Sequence, residues 1–230
     1  MTTLHLYRLS GLALVIGMVL SGASTIVSAV AFPDSNDVAA ATNPFNILLS
    51  LIGVVGTILA LLGLPGMYAR SAREGGPAWL IGTVLIAITG MLFGVFLGLM
   101  SALVFPVLAS QAVDLFSQGP PPSFFAVFII ATLTNVFGAL LLAIPMITRG
   151  IYARWCGYVL LLDAVLAVIS FFTSGPGATS LISQIFAIVS PLPLYLPLAW
   201  VGYQLWSTNG AQANQAIAGA VSAPPVRLSA

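Results

Sequence analysis

The longest uncharged apolar stretches of this sequence decide what the chain can fold into. A helix that crosses the hydrocarbon core of a membrane, about 30 Å thick, needs about 20 apolar residues. Six stretches meet this requirement, and short segments rich in Gly, Pro, Ser and charged residues separate them. They are too long and too uniformly apolar for the alternating strands of a membrane barrel. The predicted spans are residues 9–31, 46–66, 78–105, 124–147, 152–172 and 180–206.

The few charged residues predict how these spans are oriented. Charged residues make up only 5% of the chain, against about 25% in soluble domains. All six basic side chains are Arg, and they fall before the first span, in alternate loops and in the C-terminal tail, whereas Asp34, Asp37 and Asp114 fall in the remaining loops. Basic residues concentrate on the cytoplasmic side of membrane proteins. Both termini are therefore predicted to be cytoplasmic.

Together these patterns predict an all-α fold, a polytopic membrane helix bundle with six transmembrane helices in residues 1–206. Residues 207–230 are predicted to form a polar, low-complexity cytoplasmic tail, which has too little apolar surface to order itself. Four Trp side chains near the Arg-bearing loops fit the aromatic belt of a membrane interface. They are Trp79, Trp155, Trp200 and Trp206.

One alternative concerns the first span. Its basic start, its apolar centre and the motif Ala29-Val30-Ala31 resemble a secretory signal peptide with its cleavage site. The uncharged stretch is long enough to cross the bilayer, so we expect the span to be retained.

Small residues recur every four positions along three of the spans. Because lipid is as apolar as Leu, helices in a membrane associate through close packing between small side chains. These stripes predict helix contacts, either within the chain or with a protein partner or a second copy of the chain. The stripe residues are Gly90, Gly94, Gly98 and Ala102 in span three, Gly17 and Ser21 in span one, and Gly56 and Ala60 in span two.

One acid lies at membrane depth. Asp163 interrupts the apolar run YVLLLDAVLAVIS, eight residues after Trp155, which is about 12 Å along a helix. An acid at the centre of a membrane helix costs about 3 kcal/mol, so such residues face the bundle interior and mark functional sites. Because burial disfavours the ionised form of an acid, we expect Asp163 to be neutral or hydrogen-bonded and to face the interior, with Ser170 on the same helix face.

The sequence offers Asp163 two sets of partners. Asn135 lies near the middle of span four, with Thr132 one turn away on the same face. In span six, Pro191 and Pro193 lack an amide N–H and would leave backbone carbonyls unpaired in the helix. The candidate polar-site residues are Asp163, Asn135, Thr132, Gln184, Ser170, Pro191 and Pro193.

Catalytic constellations are hard to find in this sequence. His5 is the only His and precedes the first span, Cys156 is the only Cys, Lys is absent, and Asp163 has no second buried acid beside it. These counts argue against a Ser–His hydrolase, a buried His-ligated metal or haem, a Schiff-base Lys and a paired-carboxylate mechanism. We therefore expect no enzymatic activity and no cofactor. The net charge of +1 gives no reason to expect a nucleic-acid partner.

Three stretches carry a resemblance to a known family. They are LPGMYARSAREGGPAWLIG after span two, RGIYARWCGYVLLLDAVL across the fourth turn and LPLAWVGYQLW at the end of span six. With them, the chain resembles the uncharacterised six-span integral membrane proteins found in many bacteria. The resemblance implies a location in the bacterial cytoplasmic (inner) membrane. It carries over no catalytic residue, because that family has no assigned activity.

Two functional hypotheses follow for a non-catalytic multi-pass protein in the lipid bilayer. The leading one is a structural or accessory subunit that packs helices, lipids or pigments within a larger membrane assembly. In that case the bond made by Asp163 is a clamp between helices, worth about 0.6 kcal/mol on average. The alternative is a small permease or channel with a midplane polar site at Asp163 and Asn135 beside a Pro-broken sixth helix.

Overall fold

A computed structural model describes residues 3–33, 37–112, 116, 122–173, 185–186 and 188–222 of the 230-residue chain. The regular structure of these residues is helical, and no strand occurs among them. The helices are α1 (Thr3–Ala31), α2 (Val38–Thr42), α3 (Pro44–Thr89), α4 (Leu97–Leu99), α5 (Phe105–Gln111), α6 (Pro122–Arg149), α7 (Arg154–Thr173) and α8 (Leu192–Ser222), with π-helical segments at Gly90–Phe96 and Met100–Val104.

The longest helix, α3, folds back on itself at Gly76. The backbone of Gly76 has φ 64° and ψ −164°, a conformation that Gly adopts without steric cost. Beyond this point the chain returns along its own path, so that Gly98 packs against the side chain of Val54. We call residues 44–75 the first arm and residues 77–111 the second arm of this hairpin.

Four segments of the described chain are long and apolar enough to cross a membrane. They are His5–Ala31, Pro44–Gln111, Phe125–Arg149 and Arg154–Phe172. The second segment contains both arms of the hairpin, and therefore two of the predicted spans. An all-helical chain with several membrane-length apolar helices is what the sequence predicts.

The helix of the sixth predicted span is interrupted, and it continues beyond its predicted end. Residues 188–189 are helical, the chain turns at Ser190 and Pro191, and α8 begins at Leu192. The break thus lies at Pro191, as predicted for a Pro-broken helix, whereas Pro193 lies in the first turn of α8, where a missing N–H leaves no bond unmade. At the other end α8 continues to Ser222, through residues that we predicted as a tail, because Ala-rich sequence has high helix propensity.

The helices pack in a closed ring. Helix α1 packs against α3 and α8, α3 packs against α6, α6 packs against α7, and α7 packs against α8. Toward the end that carries the Arg-bearing turns, the ring is filled by large apolar side chains. The fully buried ones include Met67, Trp79, Leu142, Met146 and Leu205.

Trp79 does not anchor the bundle at a membrane interface as predicted. It is fully buried and stacks on Tyr152, with ring centroids 5.9 Å apart. Ser71 Oγ donates a hydrogen bond to the Tyr152 hydroxyl at 3.2 Å. The Tyr152 ring therefore serves as a packing surface for Trp79. The other predicted interfacial residues, Trp155, Trp200 and Trp206, are about two-fifths exposed.

The small-residue stripes pack within the chain. A Cβ placed on Gly17 would overlap the backbone of Ala60 and lie 2.5 Å from the carbonyl oxygen of Gly56. Ser21 Oγ donates to the carbonyl oxygen of Gly53 at 3.2 Å. We call this contact between α1 and the first arm the seam. The span-three stripe packs on the other side of the first arm, where Gly94 faces Thr57.

Candidate functional site

A cavity of about 350 Å³ lies inside the ring of helices. Its wall contains residues of α1, both arms of the hairpin, α6, α7 and α8, together with the turn at Ser190 and Pro191. Cavities that hold small molecules in proteins usually measure about 300–1,000 Å³. The space is therefore large enough for a small solute.

The polar floor of the cavity is formed by Asp163 and Asn135. Asn135 Nδ2 donates a hydrogen bond to Asp163 Oδ2 at 3.0 Å. The two side chains are only 2% and 6% exposed, and both line the cavity. Asp163 thus faces the bundle interior, and of its two predicted sets of partners the structure supplies Asn135. The bond joins α6 to α7.

The structure gathers most of the predicted polar-site residues in the cavity wall. Thr132 lies one turn from Asn135, and Ser170 lies two turns from Asp163, both on the cavity side of their helices. Pro191 contributes from the turn before α8. Pro193 is buried but does not line the cavity, because it follows the turn on another face of α8. Gln184 lies outside the described residues.

One acceptor on the cavity floor has no protein partner. Asn135 Oδ1 is buried, and no donor within the part of the chain that the structure describes reaches it. Buried amide oxygens are nearly always bonded, so this unpaired oxygen, on a residue that lines the cavity, indicates a position for a bound donor. Two hydroxyls of the wall are engaged within the protein: Thr57 Oγ1 donates to Gly53 O at 2.9 Å, and Thr89 Oγ1 bonds Thr134 at 3.0 Å.

Aromatic side chains surround the cavity between its polar floor and the end where α6 begins. Phe93 meets Phe128 edge to face, with ring centroids 5.3 Å apart, and Phe125 meets Phe171 at 5.9 Å. All four line the cavity. Phe125 and Phe128 are also 53% and 41% exposed on the outer surface. Aromatic rings therefore form the wall at this end of the cavity.

Sequence reasoning missed these aromatic residues, although a signal for two of them exists. Phe125, Phe128 and Thr132 precede Asn135 by 10, 7 and 3 residues, a spacing that places all of them on one helix face. Tyr195 is a second missed residue of the wall. It lies well inside the predicted sixth span and not at its end, where the amphipathic ring of Tyr is usual.

The second arm departs from regular α-helix where it borders the cavity. Residues Gly90–Phe96 are π-helical, and Gly90, Phe93 and Gly94 line the cavity. π-Helical turns add a residue to a helical turn and occur often at functional sites. Here the irregular segment holds Phe93 against Phe128 on the neighbouring helix α6.

The composition of the wall limits its chemistry. Among the described lining residues Asp163 is the only acid, and Arg and His are absent. The described part of the chain holds no group of three metal-ligating side chains. Cys156 is buried in the core and is not part of the wall. The arrangement can bind a solute through acceptors and aromatic surfaces.

The chain matches no family model, no curated protein and no solved structure. Its function is therefore argued from its own geometry.

Proposed function

We propose that the protein is a small permease of a bacterial cytoplasmic membrane, which binds its solute at Asp163 and Asn135. The observation that carries the proposal is the cavity of about 350 Å³ whose floor is this pair. A clamp between two helices needs a hydrogen bond but no space beside it. Close packing leaves few voids larger than a water molecule in protein interiors, so a cavity of this size with polar groups on its floor supports solute binding.

The accessory role, which is the leading hypothesis from the sequence, is not supported by the argument on which it mainly depended. It relied on small-residue stripes as docking surfaces for other subunits. In the structure Gly17, Gly56, Gly94 and Gly98 face neighbouring helices of the same chain, so these surfaces are already covered. The accessory role stays a prediction, which native mass spectrometry in mild detergent tests by detecting co-purifying subunits.

The proposal includes the topology that the charges predict, with six spans and both termini cytoplasmic. Cysteine labelling tests it, because replacing Cys156, the only Cys, with Ala gives a thiol-free background. We expect Arg70→Cys and Ser110→Cys to react with a membrane-impermeant maleimide from opposite sides of the membrane. Labelling of both positions from the same side would contradict the six-span arrangement.

Thiol labelling also tests whether the cavity is reached from water. In the same background, Ser170→Cys places a thiol in the cavity wall, and Ala164→Cys places one on the same helix in the packed core. We expect a small charged methanethiosulfonate to modify the first position and to leave the second unmodified. A permease needs this access, so an unreactive Ser170→Cys in a folded protein would contradict the proposed function.

A further inference from the structure

The two polar side chains on the cavity floor offer acceptors to a solute. Asn135 Oδ1 has no donor among the described residues. The hydrogen-bond partner that the structure gives the Asp163 carboxyl is the Asn135 amide, on Oδ2. An ionised carboxylate has about four lone-pair positions, so one bond leaves most of its capacity unused. A solute that meets both acceptors must carry at least two N–H or O–H donors.

The charge balance of the wall points to a positively charged donor. A carboxyl group in an apolar setting either takes up a proton or pairs with a cation. No Arg or His lines the cavity within the described chain, and the sequence has no Lys. A cation that pairs with an ionised Asp163 therefore comes from outside the described wall. An anionic solute finds no basic group in this wall.

The aromatic residues indicate what the rest of the solute is made of. Phe128 lies seven residues before Asn135, and Phe171 lies eight residues after Asp163, which is about 10–12 Å along their helices. The rings of Phe128 and Phe171 lie between the polar floor and the end of the cavity where α6 begins. Aromatic faces attract cations and pack against flat apolar groups, whereas a hydrated metal ion gains little from them.

We infer that the cavity takes a primary organic ammonium ion with a small apolar or aromatic body, its N–H groups on Asp163 and Asn135 Oδ1 and its body among Phe93, Phe128 and Phe171. This inference rests on the proposed function and names its substrate class. The volume of about 350 Å³ fits such a molecule. A primary ammonium has three donors on one nitrogen, and so it can meet both acceptors at once.

Binding of three probes of similar size to the full-length protein in lipid nanodiscs tests the inference. The probes are 2-phenylethylammonium, neutral 2-phenylethanol and anionic 3-phenylpropionate, measured by isothermal titration calorimetry at neutral pH. We expect the ammonium ion to bind at least tenfold more tightly than the alcohol, and the anion to give no saturable binding. Asp163→Asn should reduce ammonium affinity to that of the alcohol, and it keeps an amide side chain that can still bond Asn135.

Matched variants separate a site from general partition into the membrane. Phe171→Leu changes a ring of the wall, whereas Phe172→Leu changes its neighbour, which is 79% exposed and does not line the cavity. Phe128→Leu and Phe137→Leu form a second such pair on α6. We expect the wall variants to weaken ammonium binding about threefold to tenfold and the control variants to leave it unchanged.

Each other outcome overturns the inference in a recognisable way. Equal affinity for the ammonium ion and the alcohol, unaffected by Asp163→Asn, would mean a solute site without charge selection. Competition by NaCl that CsCl at the same ionic strength does not reproduce would mean an inorganic cation site. No binding of any probe by a protein whose Ser170→Cys variant is labelled would reject the substrate class alone, whereas failure of that labelling contradicts the proposed function.

Discussion

The seam and the cavity lie side by side in this bundle, and both contain Gly residues. At the seam these residues allow close packing, whereas at the cavity they leave open space. At the seam, Gly17 faces the backbone of Ala60 and Gly56, and the two helices approach until no side chain fits between them. At the cavity, a Cβ on Gly90 would meet the movable end of Leu61, whose Cδ2 lies 3.2 Å away, and would lie at ordinary contact distance, 3.5 Å, from Thr57 Cγ2. A small residue thus closes the space when backbone faces it and leaves space when a flexible side chain faces it.

The difference also separates polar groups that hold helices together from those that remain available. Ser21 of the seam donates to Gly53 O and lies 3.1 Å from Thr57 Oγ1, so its hydroxyl is used within the bundle. Asn135 uses its amide nitrogen in the same way but keeps an unpaired carbonyl oxygen. Packing alone explains the hydrogen bonds of Ser21. Asn135, in contrast, has an acceptor without a donor among the described residues.

We expect the largest loss of stability from Gly17→Ala, at the seam. The added methyl overlaps the backbone of Ala60, which cannot rotate away, so we expect a loss of about 3 kcal/mol, the upper range for overpacking. Gly90→Ala is the matched control, because both changes add one methyl group to a Gly residue whose backbone is helical. It should leave stability nearly unchanged. The free energy of unfolding in mixed micelles measures both, and equal losses would show that the two regions do not differ in packing.

A smaller effect is expected from enlarging two Ala residues of α7 that lie one turn apart. Ala164 is 3% exposed and belongs to the packed core, whereas Ala167 lines the cavity. Ala164→Leu should cost about 2 kcal/mol through overpacking. Ala167→Leu should cost little, because its side chain extends into free volume, and it should slow labelling of Ser170→Cys. A large loss from Ala167→Leu would mean that the cavity closes in the folded protein.

The sequence predicts the helices and turns of this fold better than it predicts which helices pack together. The apolar runs predict membrane-length helices, and Pro and Arg-bearing turns predict where the chain reverses, as at Gly76. The Gly stripes predict close packing but not which neighbour is packed, since spacing defines a face and not its partner. The assignment of Trp79 to the membrane interface was wrong, because position in the sequence does not show that the ring near one turn is covered by another turn, which carries Tyr152.

The candidate site was predictable in its polar part and not in its volume. Asp163 in an apolar run must face the interior, and Asn135 is the nearest amide at equal depth, so these two residues follow from burial costs. The cavity beside them depends on how far apart six helix segments lie, a tertiary property that no single spacing encodes. Phe93 illustrates this, since it reaches the wall only through a π-helical segment that its sequence does not announce.

The smallest expected effect concerns the bond between Asp163 and Asn135, and it distinguishes a clamp from a site. A double-mutant cycle with Asp163→Leu and Asn135→Leu measures the coupling, which averages about 0.6 kcal/mol for membrane hydrogen bonds and reaches about 1.7 kcal/mol. Each single change leaves a buried polar group unpaired, at a cost of about 1–3 kcal/mol, whereas the double change removes both groups.

The buried pair Ser71 and Tyr152, 3.2 Å apart and away from the cavity, gives a reference through Ser71→Ala and Tyr152→Phe. If solute and water reach the cavity floor, unpaired groups there are partly satisfied, and the coupling at Asp163 should fall below that of the reference pair. A coupling clearly above the reference would mean a dry clamp, and the cavity would then be a packing fault beside it.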